Sequence, residues 1–416
     1  MGKHELYLYK ELLNIPFNLY NLIYEYTELN KNVKIAFVGG YIRDLLIKDI
    51  HKLNSIKPID LDIVIEGSAI SLAKFIKKNI KDVEICLIKE FEIYNTVELN
   101  INNIKIDIAS AREEIYQSPG ANPLVKDATI LQDLKRRDIS INSIAFEISQ
   151  RRIYDLFEGI NHIKKKEIHL LHKNSIRDDP SRLLRCAKYS SRFNFKITQS
   201  SLFQSQEIIK LWPWIYEYKN NRFIFPPGIS IRMRMELSEI IKFDNLSKII
   251  SILSNWRVLD LLNKDIKINH KFLRGFHWIK KLAGKEILYL IKDSKSNDIL
   301  CERLYINNKD RKILKEYKLI KSKFEKNKDK YKYFSPSHWT AFIEDNNIDP
   351  ETIKLLISES IIFWRELLRW LIIYRYIKSN KNGNTLKEEG WEEGKDIGEE
   401  IKRLRYLNID NYSNNR

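Results

Sequence analysis

The stretch Phe37-Val38-Gly39-Gly40-Tyr41-Ile42-Arg43-Asp44 decides how the first part of the chain folds. An apolar run over residues 35–38 meets two glycines, and a helix-like pattern follows them. Backbone N–H groups at such a strand-to-helix junction can face an anion, and glycine lets the backbone approach a phosphate closely. The stretch therefore predicts a strand, a tight turn and a helix that together form an anion site.

Acidic residues at strand spacing follow this turn. Asp60 and Asp62 are two apart in a run rich in β-branched residues, so both carboxylates would point to one face of a strand. Asp107 lies in a second alternating run, residues 104–108, which is expected to pair alongside and reach the same surface. Neighbouring oxygen ligands suit Mg²⁺, and three convergent carboxylates can hold two metal ions about 3.5–4 Å apart for nucleotidyl transfer. An Asp-x-Asp pair alone is more often a solvated strand or turn, but the preceding glycines favour a metal site.

A cluster of polar side chains follows in residues 133–145, where Arg137, Asp138 and Asn142 stand close together. Guanidinium, carboxylate and amide groups at this density can clamp a triphosphate and a ribose. A capped, solvated helix start explains the segment equally well when it is taken alone.

A helix is predicted to open within residues 177–185, with Asp178 as its cap and Pro180 in an early position. Asp179 and Arg182 are three apart, which would place them on one face of that helix. The pair could also be a surface ion pair that contributes roughly 0.3–0.5 kcal/mol. Apolar residues at helical spacing predict helices over residues 176–195, 230–250, 279–291 and 358–377.

Taken in order, these motifs resemble those of the class II tRNA nucleotidyltransferase and bacterial poly(A) polymerase family. The resemblance rests on residues 39–44, 60–62, 106–113, 116–120, 136–142, 154–159, 178–182 and 230–237, and it extends to glycines in the tail. It implies an α+β fold with an N-terminal, polymerase-beta-like mixed-sheet head and an all-helical neck, body and tail. The expected divisions are a catalytic head over residues 1–150, a base-reading neck over 151–245, and a tRNA-binding body and tail over 246–416.

The resemblance also implies a role for each matching residue. Metal ligation and catalysis fall to Asp60, Asp62 and Asp107, with Mg²⁺ as the expected cofactor. Binding of the nucleotide falls to Gly39, Gly40, Arg43, Arg137, Asp138, Asn142, Asp179, Arg182 and Arg185. The chain departs from the family pattern in having Asp178 where Glu is usual, and Lys188-Tyr189 where Arg-Phe is usual.

Asp179 and Arg182 would read the incoming base, a role that has its own chemical logic. Cytosine and adenine both present an amino donor beside an unprotonated ring nitrogen, and a carboxylate with a guanidinium complements both. Uracil and guanine present a protonated ring nitrogen and a carbonyl instead. They would leave desolvated groups unpaired, which is a strong basis for rejection.

The formal charge of +17 and the pI near 9.4 indicate a polyanionic partner. A membrane surface is disfavoured, because no apolar run approaches the roughly 18 residues of a spanning helix and the amino terminus lacks a secretory apolar core. We therefore expect a soluble, cytoplasmic protein. Residues 309–332 are dense in lysine, with Tyr317, Phe324 and Tyr331 interleaved, and they indicate either a track for RNA phosphates or a solvated helix face.

The predicted function is template-independent transfer of CMP and AMP from CTP and ATP to the 3′ end of tRNA, without a membrane or a stable protein partner. The rival functions are addition of the final A alone, addition of C residues alone, poly(A) synthesis, and non-catalytic RNA binding on the same scaffold. Residues 113–133 look full length, and in this family a shortened loop accompanies loss of A addition. This counts against a C-only enzyme, but it does not separate full CCA addition from A-only addition.

Overall fold

A mixed β-sheet followed by helices makes up the computed structural model of the chain. The structure describes residues 1–53, 60–80, 85–117, 122–212, 218–219, 222–223, 227–243, 246–262, 266, 268–293 and 297–414. The order of elements confirms the predicted α+β class. The helical part also contains short paired strands, which the prediction of an all-helical region did not include.

The described residues contain strands of two to seven residues. They are β1 (Lys34–Val38), β2 (Asp60–Glu66), β3 (Ile85–Phe91), β4 (Thr96–Ile101), β5 (Ile104–Ser110), β6 (Arg112–Ile115), β7 (Leu124–Asp127), β8 (Ile144–Glu147), β9 (Arg152–Asp155), β10 (Glu167–Ile168), β11 (Lys196–Ile197), β12 (Tyr218–Lys219) and β13 (Arg222–Phe223). Seven of them form one sheet in the order β3-β4-β5-β2-β1-β8-β9. Strands β2 and β5 pair in parallel, whereas the other neighbours in this sheet are antiparallel.

The amino-terminal part of the chain contains the first group of helices. They are α1 (Lys3–Leu13), α2 (Leu19–Leu29), α3 (Gly39–His51), α4 (Ala69–Asn79), α5 (Ile130–Lys135), α6 (Gly159–Lys165), α7 (Ser175–Asp178), α8 (Ser181–Phe193), α9 (Gln199–Leu211) and α10 (Pro227–Ile241). Short 3-10 turns lie at Pro16–Asn18, Glu92–Tyr94 and Ser140–Asn142.

Helices dominate the rest of the chain. They are α11 (Leu246–Asn255), α12 (His270–Lys281), α13 (Glu286–Ile291), α14 (Asn297–Arg303), α15 (Asn308–Lys326), α16 (Lys328–Lys332), α17 (Pro336–Asp345), α18 (Pro350–Ser358), α19 (Trp364–Ile372), α20 (Gly383–Glu388) and α21 (Lys395–Asn414), with 3-10 turns at Val258–Leu261 and Tyr374–Tyr376. Among the residues described above, no helix combines the length and apolar character needed to cross a membrane.

The chain divides into two compact units. The first comprises Met1–Glu236 and Ser251–Leu261, and the second comprises Leu237–Ile250 and Leu262–Arg416. The predicted division at residues 150 and 245 stays a prediction.

Helix α5 covers one face of the large sheet within the first unit. Its residues Ile130 and Leu134 are buried against Val38, Val64 and Ala145 from three neighbouring strands. Thr129 caps the helix by accepting a hydrogen bond from the Gln132 N–H. The cluster fixes the segment that follows α5 at the end of β1, where the glycine turn lies.

The lysine-dense segment of the second unit forms α15 and α16. Its three aromatic residues are buried, with Tyr317 0%, Phe324 1% and Tyr331 6% exposed. Phe324 and Tyr331 pack edge to face, with ring centroids 5.1 Å apart. The aromatic side chains therefore serve the core of this unit and are not available to stack on RNA bases.

Candidate active site

The glycine turn joins β1 to α3 and holds the carboxylate of Asp62. Gly39 has a φ of +67°, a conformation that favours glycine, and a Cβ there would lie 2.7 Å from Asp62 Oδ2. The Gly40 N–H donates to that same oxygen at 3.0 Å. The predicted turn is thus present, and its backbone holds a side chain of the adjacent strand β2.

The sheet register brings two of the predicted metal ligands side by side. Asp62 on β2 pairs with Asp107 on β5, and Asp60 lies two residues before Asp62 on the same strand. Burial raises the pKa of Asp62, although Arg137 opposes the shift. Burial also raises the pKa of Asp107, against the effect of Lys105. Burial thus outweighs the positive charges beside these two carboxylates, and a bound cation would stabilise their ionised form.

The three carboxylates do not converge on one point in this conformation. Within the described ranges, no group of three His, Cys, Asp or Glu side chains is arranged to hold a metal ion. Asp107 Oδ2 instead lies 3.0 Å from Lys105 Nζ. Carboxylate oxygens are ligands that Mg²⁺ takes. Asp60, Asp62 and Asp107 therefore fit the ion by their chemistry and by their positions on the paired strands β2 and β5.

A cavity of about 710 Å³ opens beside Asp62. Arginine is its commonest lining residue. The arginines are Arg112, Arg136, Arg137, Arg182, Arg185 and Arg232, and the acidic groups are Asp62, Glu114, Asp138 and Asp179. Gly39, Gly40 and Asn142 also line it. Of the predicted catalytic carboxylates, Asp62 faces this space, whereas Asp60 and Asp107 are not among its lining residues.

A buried carboxylate holds two of these arginines in place. Asp133 is fully buried and accepts hydrogen bonds from Arg136 Nη2 at 2.6 Å and Arg137 Nη2 at 3.1 Å. Burial alone would raise the pKa of Asp133, but the two guanidinium groups hold it below its ordinary value. Arg137 Nη1 also donates to the Asn142 carbonyl at 3.3 Å. The side chains of Arg136 and Arg137 are therefore held in place at the wall of the cavity. The capped helix of this region is α5, which begins earlier, at Ile130.

Asp138, Asn142 and Arg43 form a connected polar network behind and along this wall. Arg185 Nη1 donates to Asp138 Oδ2 at 2.9 Å, and Arg43 Nη1 donates to Asn142 Oδ1 at 2.6 Å. Arg43 is 2% exposed and does not line the cavity. Its guanidinium also bonds Asp44 and lies 4.5 Å from the centroid of the Tyr189 ring. In this conformation Arg43 supports the cavity wall.

The predicted helix over residues 176–195 is wrong at its start. Asp179 is extended, with φ −149° and ψ 96°, and it separates α7 from α8. Because a residue before proline disfavours the helical conformation, Pro180 explains the break. The predicted cap, Asp178, is instead the last residue of α7, and α8 follows Pro180 without a side-chain cap. Asp179 Oδ1 accepts from the Ser181 N–H at 3.0 Å.

Asp179 and Arg182 both line the cavity, although they do not share one helix face. Arg182 Nη1 donates to Ser175 Oγ at 3.0 Å. Asp179 Oδ2 instead lies 2.7 Å from Arg232 Nε. Arg232 is a site residue that sequence reasoning did not single out. Its one signal was its position inside the motif at residues 230–237.

Glu114, on the β6–β7 hairpin, is a second site residue that the sequence did not single out. Glu114 accepts from Arg136 Nη1 at 2.8 Å and from the Tyr116 hydroxyl at 3.0 Å. Burial and Glu114 together raise the pKa of Tyr116 to about 12, so its hydroxyl stays protonated and can donate. The motif residues Ser118, Pro119 and Gly120 lie outside the described residues.

Known proteins share sequence and fold with this chain. Residues 35–169 match the family model described as the poly A polymerase head domain. The chain is 27% identical over 403 residues to the A-adding tRNA nucleotidyltransferase of Aquifex aeolicus, which covers 90% of this chain but only 44% of that protein. It is also 27% identical over 350 residues to the CCA-adding enzyme of Francisella tularensis subsp. novicida, which covers 79% of each.

The fold is shared with a solved structure of the Thermotoga maritima CCA-adding enzyme complexed with tRNA. The TM-score is 0.68 at 21% identity, over 97% of this chain and 94% of that one. The head-domain match, the two relatives and the observed order of sheet and helices agree with the motif order. Residues 35–169 therefore form a poly A polymerase head domain, within a chain that is similar over most of its length to tRNA nucleotidyltransferases.

Proposed function

We propose that this protein adds CMP and AMP from CTP and ATP to the 3′ end of tRNA without a template. The observation that carries the proposal is the cavity beside Asp62, which combines a glycine turn, several arginines and the pair Asp179 and Arg182. Its volume of about 710 Å³ is within the usual range for a small-molecule site. The A-adding and CCA-adding names of the two relatives support the same reaction class.

In this proposal Asp60, Asp62 and Asp107 hold divalent metal, with Mg²⁺ as the ion. The metal would supply Lewis-acid stabilisation of the reacting and leaving oxygens. The Gly40 N–H orients the Asp62 carboxylate, and Asp107 must turn from Lys105 to take part.

The arginine wall would bind the triphosphate. Arg137 is held by Asp133 and by the Asn142 carbonyl, so its charge is fixed at the cavity surface before the substrate arrives. Preorganised charge of this kind stabilises a transition state without reorganisation during the reaction. Asp138 and Asn142 would contact the ribose and phosphates beside it.

Base choice is assigned to Asp179 and Arg182. The neighbouring Arg232 lies against Asp179 Oδ2, so an incoming base must share that carboxylate with it or displace it. The amino group of cytosine or adenine can donate a hydrogen bond to the Asp179 carboxylate in place of Arg232. The carbonyl of uracil or guanine cannot donate one, so the carboxylate would lose a partner.

The test uses purified protein with tRNA lacking one, two or three terminal nucleotides, and offers CTP and ATP separately. Full CCA addition predicts incorporation of CTP on the two shorter substrates and of ATP on the longest. Absence of incorporation in the presence of Mg²⁺ on every substrate would refute the proposal.

Addition of the final A alone is the second candidate. It is favoured by the match to the A-adding enzyme of Aquifex aeolicus, which extends over 90% of this chain. In the same assay an A-only enzyme would use ATP on tRNA ending in CC and would not use CTP. For either candidate we propose that the protein acts in the cytoplasm, with residues 1–150, 151–245 and 246–416 as head, neck, and tRNA-binding body and tail.

A further inference from the structure

Two aromatic rings stand exposed at the margin of the nucleotide cavity. Phe91 ends β3 and is 48% exposed, and Tyr94, in the turn that follows, is 38% exposed. Both line the cavity that Asp62 faces. Large aromatic side chains cost free energy when they are left in water, so rings exposed at a binding site indicate a partner that covers them.

The sheet register places Phe91 on the same face as the carboxylates. Asp62 pairs with Asp107, and Asp107 pairs in turn with Glu98. Two residues along the strands, Ala109 pairs with Thr96, and Thr96 pairs with Phe91. Because directly paired residues project to the same side and alternate residues share a face, Phe91 and Asp107 belong to one surface.

The turn that carries Tyr94 is held in one position. Asn95 adopts a φ of 44°, its carbonyl accepts from the Ser110 N–H at 3.0 Å, and its Oδ1 accepts from the Ile70 N–H at 3.3 Å. Arg112 Cζ lies 5.6 Å from the centroid of the Tyr94 ring. The rings are therefore presented by a fixed turn with a positive charge beside them.

We propose that Phe91 and Tyr94 form a stacking surface for the terminal bases of the RNA acceptor strand. This inference rests on the proposed function, since it assumes that an RNA 3′-hydroxyl must reach Asp62 and Asp107. The incoming base already has its edge-reading groups in Asp179 and Arg182, and the triphosphate has the arginine wall. The acceptor base remains without a contact, and aromatic faces bind bases of any sequence while Arg112 meets the backbone phosphate.

The test compares Phe91→Ala and Tyr94→Ala with the wild-type protein in two measurements. Fluorescence anisotropy measures the affinity for a short single-stranded RNA that ends in CC, and steady-state kinetics give separate KM values for tRNA and for ATP. Each variant should weaken RNA binding by about tenfold and raise the KM for tRNA while leaving the KM for ATP unchanged. Phe91→Trp should restore binding.

Ile93→Ala is the matched control, because Ile93 lies in the same turn, is 84% exposed and does not line the cavity. Wild-type RNA affinity in both alanine variants would overturn the inference, as would a rise in the KM for ATP instead of tRNA. If the wild-type protein binds RNA through the rings but never incorporates a nucleotide, the stacking surface stands and the proposed function fails.

Discussion

At the scale of single residues, Asp62 is the side chain on which the candidate site is built. It accepts a backbone hydrogen bond from Gly40, it excludes a side chain at Gly39, and it pairs across the sheet with Asp107. The local sequence predicted its strand and its face. Its contact with the glycine turn depends on the antiparallel pairing of β1 with β2, in which Val38 lies opposite Asp62.

Replacing Asp62 with asparagine should reduce nucleotide incorporation by at least about 10²-fold, because it removes a charged oxygen from the proposed metal site. RNA affinity should remain close to wild type, since the proposed RNA contacts at Phe91 and Tyr94 are unchanged. Single-turnover incorporation and anisotropy measure the two effects. Asp127→Asn, a change at an exposed carboxylate on β7, serves as the control. Incorporation at the wild-type rate in the folded variant would contradict the assignment, whereas loss of both incorporation and RNA binding would indicate unfolding.

Replacing Arg182 with alanine should lower the preference for CTP and ATP over UTP and GTP by about tenfold or more. The reason is that, in the proposed role, Arg182 would supply donors to the unprotonated ring nitrogen of cytosine or adenine. The ratio of kcat/KM values for the four nucleotides measures this effect. Arg177→Ala removes an equal charge from an exposed position on α7 and should leave the ratio unchanged. An unaltered ratio in the Arg182 variant would show that the base is read by other groups.

At the scale of elements, apolar periodicity located the helices better than it located their ends. The predicted helix over residues 358–377 is replaced by the end of α18 at Ser358 and by α19, which starts at Trp364. The residue before α19, Phe363, has a φ of 71°, which no helix-period pattern anticipates. Apolar periodicity indicates which face of each helix is buried. It does not show that the chain leaves the helical conformation between α18 and α19.

A buried ionic cluster joins three elements of the second unit. Glu359, just after α18, accepts from Lys321 on α15 at 2.6 Å and lies 2.6 Å from Lys292, which follows α13. The Lys292 side chain is 3% exposed. Burial alone would raise the pKa of Glu359, but Lys292 and Lys321 lower it to about 2 from an ordinary 4.5. The cluster therefore contributes to the packing of these helices only while the carboxylate is ionised.

Glu359→Gln should lower the free energy of unfolding at neutral pH by up to about 3 kcal/mol, because it removes one of the two carboxylates, Glu359 and Asp293, that pair with the buried Lys292. The folded carboxylate has a lowered pKa, so its contribution is present above pH 4.5 and is lost as the pH falls toward 2. The difference between wild type and variant should shrink over that range. Denaturant titrations from pH 2 to 7 measure it, with Glu400→Gln at the Arg403 pair of α21 as the control. A difference independent of pH would contradict the assignment.

At the scale of the whole molecule, a formal charge of +17 favours association with polyanions such as nucleic acid. Much of the basic character on α21 is already paired, as in Arg403 with Glu400. On α19 the exposed Arg365 and Arg369 form no ion pair within the part of the chain that the structure describes. Arg365 Cζ lies 5.0 Å from the centroid of the Trp364 ring. This helix face is our leading candidate for contact with the tRNA backbone.

The double change Arg365→Ala and Arg369→Ala should weaken tRNA binding and lower the slope of log affinity against log salt by about 2. Anisotropy titrations between about 50 and 200 mM salt, the range in which phosphate contacts change affinity most visibly, measure this slope. Arg403→Ala is the matched control, because its charge is already compensated by Glu400 and its loss should change the slope less. A slope equal to wild type in the double variant would exclude this face from the RNA interface.

The sequence by itself determined the strand and helix that flank the two glycines, the common face of Asp60 and Asp62, and the order of motifs that resembles that of the tRNA nucleotidyltransferases. These features arise from backbone conformation and alternation within a few residues. Only the tertiary structure decided that Arg232 lies against Asp179, that Asp107 rests on Lys105, and that Phe91 shares the carboxylate face. Each of these depends on register or packing between segments, and local spacing along a chain carries no information about which side chain a distant element will bring near.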